Sequence, residues 1–138
     1  FPKQIVGVKD SSYNLYETLK IPNFLIFPGS ETKLLKGLKL GCSGIISAVC
    51  NCTATLARKV YDDFYNKNKQ THNIRLCAIR SVFDKNNLIS GLYSFMSVED
   101  KKYKFILPPL SLLTKDKEKK MLSELKALDF FPDKNIPV

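Results

Sequence analysis

The chain has 138 residues, of which 44% are hydrophobic and 11% aromatic, so it can bury the core of an ordinary domain and is not a disordered tail. Its formal net charge is +9, but the excess is mostly lysine spread along the chain and only three residues are arginine, which argues against a nucleic-acid footprint. No apolar run approaches the roughly 20 residues needed to span a bilayer, and the first residues do not have the pattern of a secretory signal. We therefore expect no nucleic-acid or membrane partner.

The thiols favour a reducing compartment. Cys50 and Cys52 are separated by one residue, a spacing that matches neither a redox CxxC motif nor an ordinary zinc site. The only histidine, His72, lies far along the chain from that pair. We interpret the four cysteines as reduced thiols of a cytoplasmic protein and predict no metal site.

The first half alternates between strand and helix patterns. Short apolar runs predict buried strands at residues 5–9, 24–27 and 44–49. Helices are predicted at about 14–20, between Ser30 as a cap and Gly41 as a terminator, and at about 53–65. This alternation with short connections is typical of parallel strands joined by helical crossovers.

The second half is predicted to be helical. Helices are expected at 71–83, with Ile74, Ala78 and Val82 on one side, at 88–96, and at 115–128 after Thr114 as a cap. The last of these would bury Met121, Leu122, Leu125 and Leu128. The tail at 131–138 contains two prolines and is predicted to be irregular. We divide the chain at residue 66, into three βα units (1–66) and a helical extension (67–138).

Lys9 is the first candidate for chemistry. A lysine at the carboxyl end of a buried parallel strand lies where α/β folds bind ligands. Burial disfavours the charged form of an amine, and a neutral amine can attack a ketone and form an imine. The alternative interpretation is a lysine that merely ends a strand and reaches water.

Several segments carry distinctive residues in a fixed order. They are IVGVKDSS at 5–12, FPGSE at 27–31, GIIS at 44–47, Asn51, and LPPL at 107–110. In this order and spacing they resemble the dihydrodipicolinate synthase and N-acetylneuraminate lyase family of class I aldolases. The likeness runs from about residue 5 to residue 128.

The resemblance implies an α/β fold, namely the C-terminal part (strands six to eight) of a (β/α)8 TIM barrel, followed by a C-terminal helical bundle. It also implies that Lys9 is the lysine that forms the Schiff base. Strands one to five are absent from the sequence, and with them the family's proton-shuttling tyrosine and the hydroxyl pair that holds the pyruvate carboxylate. Tyr13 and Tyr16 follow strand six and are interpreted as packing or surface residues, so the chain as written is expected to lack a complete site.

The resemblance also implies roles for other positions. Gly29 would let the bound 2-oxo acid approach, Ile46 would line the pyruvate pocket, and Ser47 would lie near its polar rim. Glu31 would lie where sugar-acid lyases of the family hold substrate hydroxyls. The alternatives are a turn glycine, barrel packing for Ile46 and Ser47, and for Glu31 an acidic residue favoured by a helix dipole.

The function implied is a Schiff-base-forming lyase or aldolase that acts on pyruvate and an aldehyde. The form of the motifs favours the 4-hydroxy-tetrahydrodipicolinate synthase type, which joins pyruvate to aspartate semialdehyde in lysine biosynthesis. A 2-keto-3-deoxy sugar acid or N-acetylneuraminate aldolase or dehydratase is the alternative within the family, and a non-catalytic barrel fragment is the alternative outside it. No cofactor is expected, because the lysine itself is the electron sink, and a homo-dimer or homo-tetramer is implied by the family.

Overall fold

A computed structural model describes residues 1, 3–12 and 14–132. It contains two strands, β1 (Gly7–Asp10) and β2 (Leu25–Pro28). Six α-helices accompany them: α1 (Leu15–Thr18), α2 (Leu34–Lys39), α3 (Cys50–Tyr65), α4 (Asn73–Asp84), α5 (Leu88–Met96) and α6 (Lys115–Ala127). The predicted order of elements is therefore confirmed up to residue 40, and the second half is helical as expected.

The two strands form a parallel pair in which Gly7 lies opposite Leu25 and Lys9 opposite Phe27. The backbones approach closely at Gly7, where a Cβ atom would stand 2.7 Å from the Leu25 carbonyl oxygen. Glycine is therefore required at this position, and the close approach sets the register that brings the ends of both strands to the same edge.

The predicted third strand, Gly44–Val49, is wrong as a regular strand. Residues 42–47 are extended beside β2, with the Ser43 amide donating to the Ile26 carbonyl (3.0 Å) and the Ile46 amide to the Pro28 carbonyl (3.2 Å). Pro28 has no N–H group with which to donate a hydrogen bond to the neighbouring segment. Between the two bonds the segment advances by three residues, from Ser43 to Ile46, whereas β2 advances by two, from Ile26 to Pro28. The ladder is therefore interrupted, although the chain follows the path of a third strand.

Two of the three apolar clusters among the described residues hold helices α2 to α6 together. One joins α2, α3 and α4 through Leu34, Leu38, Ala57, Val60 and Leu76. The larger one lies in the helical half, where the Phe95 ring packs edge-on against Phe83 (5.6 Å between centroids) and is stacked on Phe130 (5.3 Å). Since α4 contributes to both clusters, the helical half is packed directly on the α/β half.

The predicted faces of the later helices are partly correct. Of the residues that were predicted to share one side of α4, Ile74 is 83% exposed and Val82 is buried. The buried face of α4 consists of Leu76, Ile79, Val82 and Phe83. Helix α4 contacts both α3 and α6. The sequence analysis assumed one narrow apolar stripe on this helix, whereas contact with two helices requires a wider one. On α6, Met121 and Leu125 are buried as predicted, while Leu122 and Leu128 are half-buried. The hydroxyl of Thr114 makes no capping hydrogen bond.

Two predictions fall on residues that the structure leaves undescribed. Tyr13 lies outside the described residues, as do residues 133–138 of the tail that was predicted to be irregular. Tyr16 is buried against Ile26 and Cys42, so its packing role is confirmed. None of the helices within residues 1, 3–12 and 14–132 is long and apolar enough to cross a bilayer.

Candidate active site

Lys9 lies in β1 beside the glycine that follows β2. A Cβ atom at Gly29 would stand 3.6 Å from the Lys9 Cε and 3.2 Å from the Asp10 carbonyl oxygen. A side chain at Gly29 would therefore crowd the Asp10 carbonyl and contact the Lys9 side chain, so glycine lets the loop after β2 pass close to Lys9. The Lys9 and Gly29 positions are brought together.

The expected desolvation of Lys9 is wrong for the chain as described, because this residue is exposed. Within residues 1, 3–12 and 14–132 the sheet has two strands, so β2 covers one edge of β1 and the other edge is open. Because protein covers the Lys9 side chain on one side and not on the other, the side chain stays in contact with water.

Asp10 organises the loop that follows Lys9. Its buried carboxylate accepts hydrogen bonds from the Ser12 amide (2.8 Å), the Ser12 hydroxyl and the Tyr16 amide (2.8 Å). Burial by itself raises the pKa of Asp10, but the hydrogen bonds from Ser12 and Tyr16 outweigh it and leave the pKa below its ordinary value. The Asp-Ser-Ser sequence therefore holds the start of α1 against the end of β1.

Replacing Asp10 with asparagine is expected to lower the free energy of unfolding by about 1–3 kcal/mol at pH 7, because an amide NH2 would face a backbone donor. The lowered pKa means that the carboxylate stabilises the fold above its ordinary pKa of 3.8, and this contribution is lost as the pH falls through the folded-state value. The difference between the two proteins in urea unfolding should therefore shrink below about pH 4. The exposed Asp116, changed in the same way, serves as the control and should show a smaller loss at pH 7.

Glu31 lies at the centre of a buried polar cluster. Its side chain is fully buried, and one carboxylate oxygen accepts hydrogen bonds from the Ser47 hydroxyl (2.8 Å) and the Arg80 guanidinium (2.9 Å). The other oxygen accepts from the Thr53 hydroxyl (3.2 Å). Both oxygens are therefore occupied by groups of the chain itself.

Arg80 is a member of this polar cluster that the sequence analysis missed. It lies on α4 with 11% of its side chain exposed, and besides Glu31 it donates to Asp84 (2.8 Å) and to the Ser47 hydroxyl (3.1 Å). Burial lowers the pKa of Arg80, but the bonds to Glu31 and Asp84 outweigh it and raise the pKa above its ordinary value. The sequence did offer one indication, because Arg80 stands among apolar residues of the predicted helix and Asp84 follows it by four residues.

The remaining predicted residues lie on the extended segment beside β2. Ile46 is 49% exposed and is tied to the end of β2 by its amide, whereas Ser47 is half-buried in the Glu31 cluster. The Asn51 side-chain amide donates to the Ala48 carbonyl (2.9 Å), which closes the turn into α3. The Ile46 amide is therefore bonded to the residue that precedes Gly29, and Ser47 is bonded to Glu31.

The thiols near this cluster are poorly reactive as nucleophiles. All four cysteines are free, and burial with the nearby Glu31 carboxylate raises the pKa of both Cys50 and Cys52 to about 12. A thiol with such a pKa is protonated at neutral pH and is a poor nucleophile. Lys9 is therefore a better candidate nucleophile than either of these thiols.

A cleft of about 530 Å³ lies between α4 and the loops that follow β1 and β2. It is lined by polar residues and by charged residues of both signs, namely Ser11, Ser12, Ser30, Thr32, Lys33, Arg80, Asp10 and Asp84. The cations of this lining are already engaged, since Arg80 is paired with Glu31 and Asp84 and Lys33 donates to the Ser12 carbonyl.

Comparison with known proteins agrees with this geometry. The family model described as "Dihydrodipicolinate synthetase family" matches residues 2–128. A 4-hydroxy-tetrahydrodipicolinate synthase of Lactobacillus acidophilus is 32% identical over 66 residues, which are 48% of this chain and 21% of that protein.

Two solved structures illustrate the similarity of fold. The dihydrodipicolinate synthase of Thermotoga maritima superposes with a TM-score of 0.80 at 14% identity, over 92% of this chain and 47% of that one. YagE from E. coli K12, a protein of the dihydrodipicolinic acid synthase family solved in complex with pyruvate, superposes with a TM-score of 0.76 at 18% identity, over 93% of this chain and 47% of that one. The chain thus spans about half the length of these structures.

The parallel strand pair and the helices that accompany it define a partial α/β fold. The chain belongs to the dihydrodipicolinate synthetase family, since the family model covers nearly all of it.

Proposed function

We propose that Lys9 forms a Schiff base with pyruvate at the carboxyl end of β1. The observation that carries this proposal is the close approach of Lys9 and Gly29, because a Cβ atom at Gly29 would stand 3.6 Å from the Lys9 Cε. Membership of the family supports it, and so does the pyruvate bound to the related YagE. In this proposal β1 and β2 are the sixth and seventh strands of a (β/α)8 barrel, and the segment beside β2 takes the place of the eighth. Residues 1–66 then form the last three βα units and residues 67–138 the helical extension.

The chemistry begins when the neutral Lys9 amine attacks the ketone carbon of pyruvate. Loss of water leaves an iminium, and loss of a proton from the adjacent methyl carbon gives an enamine. The enamine carbon then attacks an aldehyde, and hydrolysis of the new iminium releases the product and regenerates the amine. Gly29 admits the keto acid, Ile46 lines the apolar side of the pocket, and Ser47 lies at its rim.

An active site that forms a Schiff base needs protein on all sides of the lysine, and the described residues do not enclose Lys9. Lys9 is exposed and one edge of β1 is open, so further strands against that edge are needed to desolvate the amine. We propose that the N-terminal part of a barrel supplies them, in a cytoplasmic enzyme that forms a dimer or a tetramer. A non-catalytic fragment is the alternative if nothing covers that edge.

Aspartate semialdehyde is the second substrate that we propose. The Lactobacillus relative named 4-hydroxy-tetrahydrodipicolinate synthase supports it. The alternative, a sugar-acid aldolase, would use Glu31 for substrate hydroxyls. In this chain both oxygens of Glu31 accept bonds from Ser47, Thr53 and Arg80, which favours the synthase type.

Trapping with borohydride tests the proposal. Pyruvate and sodium borohydride should convert Lys9 to its carboxyethyl derivative, located by peptide mass spectrometry. The reaction is run on this chain and on a chimera in which the N-terminal half of the Thermotoga maritima synthase precedes it. We expect strong labelling in the chimera and weaker labelling in the chain alone, because only the closed barrel desolvates the amine. A folded chimera that carries no label on Lys9 would refute the Schiff-base role.

A further inference from the structure

The helical half of the chain is joined to the strand ends by a buried ion pair. Arg80 on α4 and Glu31, which follows β2, are 49 residues apart in sequence and 2.9 Å apart in space. Their side chains are 11% and 0% exposed. Burying two charges is costly unless their hydrogen bonds are satisfied, and here each partner makes further bonds.

The same ion pair holds the segment that follows the path of a third strand. The Arg80 guanidinium and the Ser47 hydroxyl are 3.1 Å apart, and that hydroxyl also donates to Glu31. Arg80, Glu31 and Ser47 thus form a closed triangle of hydrogen bonds, which we call the Arg80 junction. A triangle of this kind fixes the distance between two chain segments better than a single bond does.

The Arg80 junction adjoins both sides of the proposed pocket. Glu31 follows Gly29 by two residues, and Ser47 follows Ile46 directly. Among the residues that the structure describes, one backbone hydrogen bond joins these two segments beside Gly29, from the Ile46 amide to the Pro28 carbonyl. Pro28 has no N–H group that could add a second bond. The interrupted ladder therefore leaves the spacing of Gly29 and Ile46 dependent on side chains.

We propose that Arg80 is a positioning residue that sets the separation of Gly29 and Ile46, so that the helical half determines the shape of the keto-acid pocket. The identity of the ligand rests on the proposed function, whereas the effect on geometry does not. In this view Glu31 serves the site through Arg80 and Ser47 and does not itself contact substrate hydroxyls.

Hydrogen exchange on the chain itself tests the geometric part. Arg80→Met removes the guanidinium, and the amides of residues 44–48 and 29–32 are then expected to exchange roughly tenfold faster or more, because buried carboxylate oxygens lose a charged donor. Arg75→Met is the matched control. Arg75 lies on the same helix but donates to the Leu128 and Asp129 carbonyls, at the end of α6. Arg75→Met should leave residues 29–32 and 44–48 unchanged.

Two further variants keep the test decisive. If Arg80→Met does not fold, Arg80→Met with Glu31→Gln removes both charges and should restore folding while exchange at 44–48 stays fast. Arg80→Lys keeps one charge and should restore slow exchange in part. Equal exchange at 44–48 in the Arg80 and Arg75 variants would overturn the proposal.

Borohydride trapping in the chimera tests the link to the pocket. Arg80→Met is expected to raise the half-saturating pyruvate concentration about tenfold, whereas a purely structural role would lower the labelled amount and leave that concentration unchanged. An unchanged half-saturating concentration in folded Arg80→Met would contradict the role in the pocket. If the unsubstituted chimera is not labelled, the Schiff-base function fails, while the exchange comparison still decides whether Arg80 positions the two segments.

Discussion

Replacing Lys9 with arginine is expected to abolish covalent capture of pyruvate completely. Arginine keeps the charge and much of the length of lysine, but its guanidinium is not deprotonated in proteins and cannot attack a ketone. Since Lys9 is already exposed in the chain as described, the substitution buries no new charge and should leave the free energy of unfolding nearly unchanged. Borohydride trapping in the chimera, read by intact mass, measures the loss directly.

Lys33 provides the matched control, because it lies on the wall of the neighbouring cleft and donates to the Ser12 carbonyl (2.8 Å). Lys33→Arg keeps a cation at the same place and should still allow labelling of Lys9. Labelling of equal extent in the Lys9→Arg chimera would show that another amine reacts and would remove Lys9 from the mechanism.

The largest loss of stability is expected from Phe95→Ala. The Phe95 ring is fully buried, packs edge-on against Phe83 and is stacked on Phe130, so its removal leaves a cavity in the main core of the helical half. Phe-to-Ala changes at such sites cost about 3–5 kcal/mol. Urea unfolding followed by circular dichroism should show a midpoint far below that of the unsubstituted chain, with a similar slope.

Phe105 is the control for this change, because the same residue type is there 85% exposed in the loop before α6. Phe105→Ala should alter the free energy of unfolding by no more than about 0.5 kcal/mol. A loss at Phe95 as small as that at Phe105 would mean that the contacts of Phe95 do not persist in solution.

Both halves of the molecule have a part in the proposed chemistry. The α/β half carries Lys9 and Gly29, and the helical half contributes Arg80 to the polar cluster at the strand ends. Destabilising the helical core through Phe95 should therefore also weaken pyruvate trapping, but through the folded fraction and not through the half-saturating concentration. The Arg80 variants are expected to show the opposite pattern, which separates positioning from stability.

The sequence by itself determined the features that depend on short-range pattern. Apolar runs located β1 and β2 within a few residues, and α5 begins and ends as its periodicity predicted. The order of motifs also indicated the family and placed Lys9 and Gly29 at adjacent strand ends. These features are local, because a strand or a helix depends on neighbours a few residues away and a motif is contained within one loop.

Only the tertiary structure decided the rest. The buried pair of Glu31 and Arg80 joins positions 49 residues apart, and no local pattern reveals which distant side chain neutralises a buried charge. The apolar run at 44–49 predicted a strand, but pairing depends on the partner, and Pro28 in that partner lacks the amide that a regular ladder needs. The exposure of Lys9 likewise depends on what covers the far edge of β1, which is a property of the assembled sheet and not of the residues around the lysine.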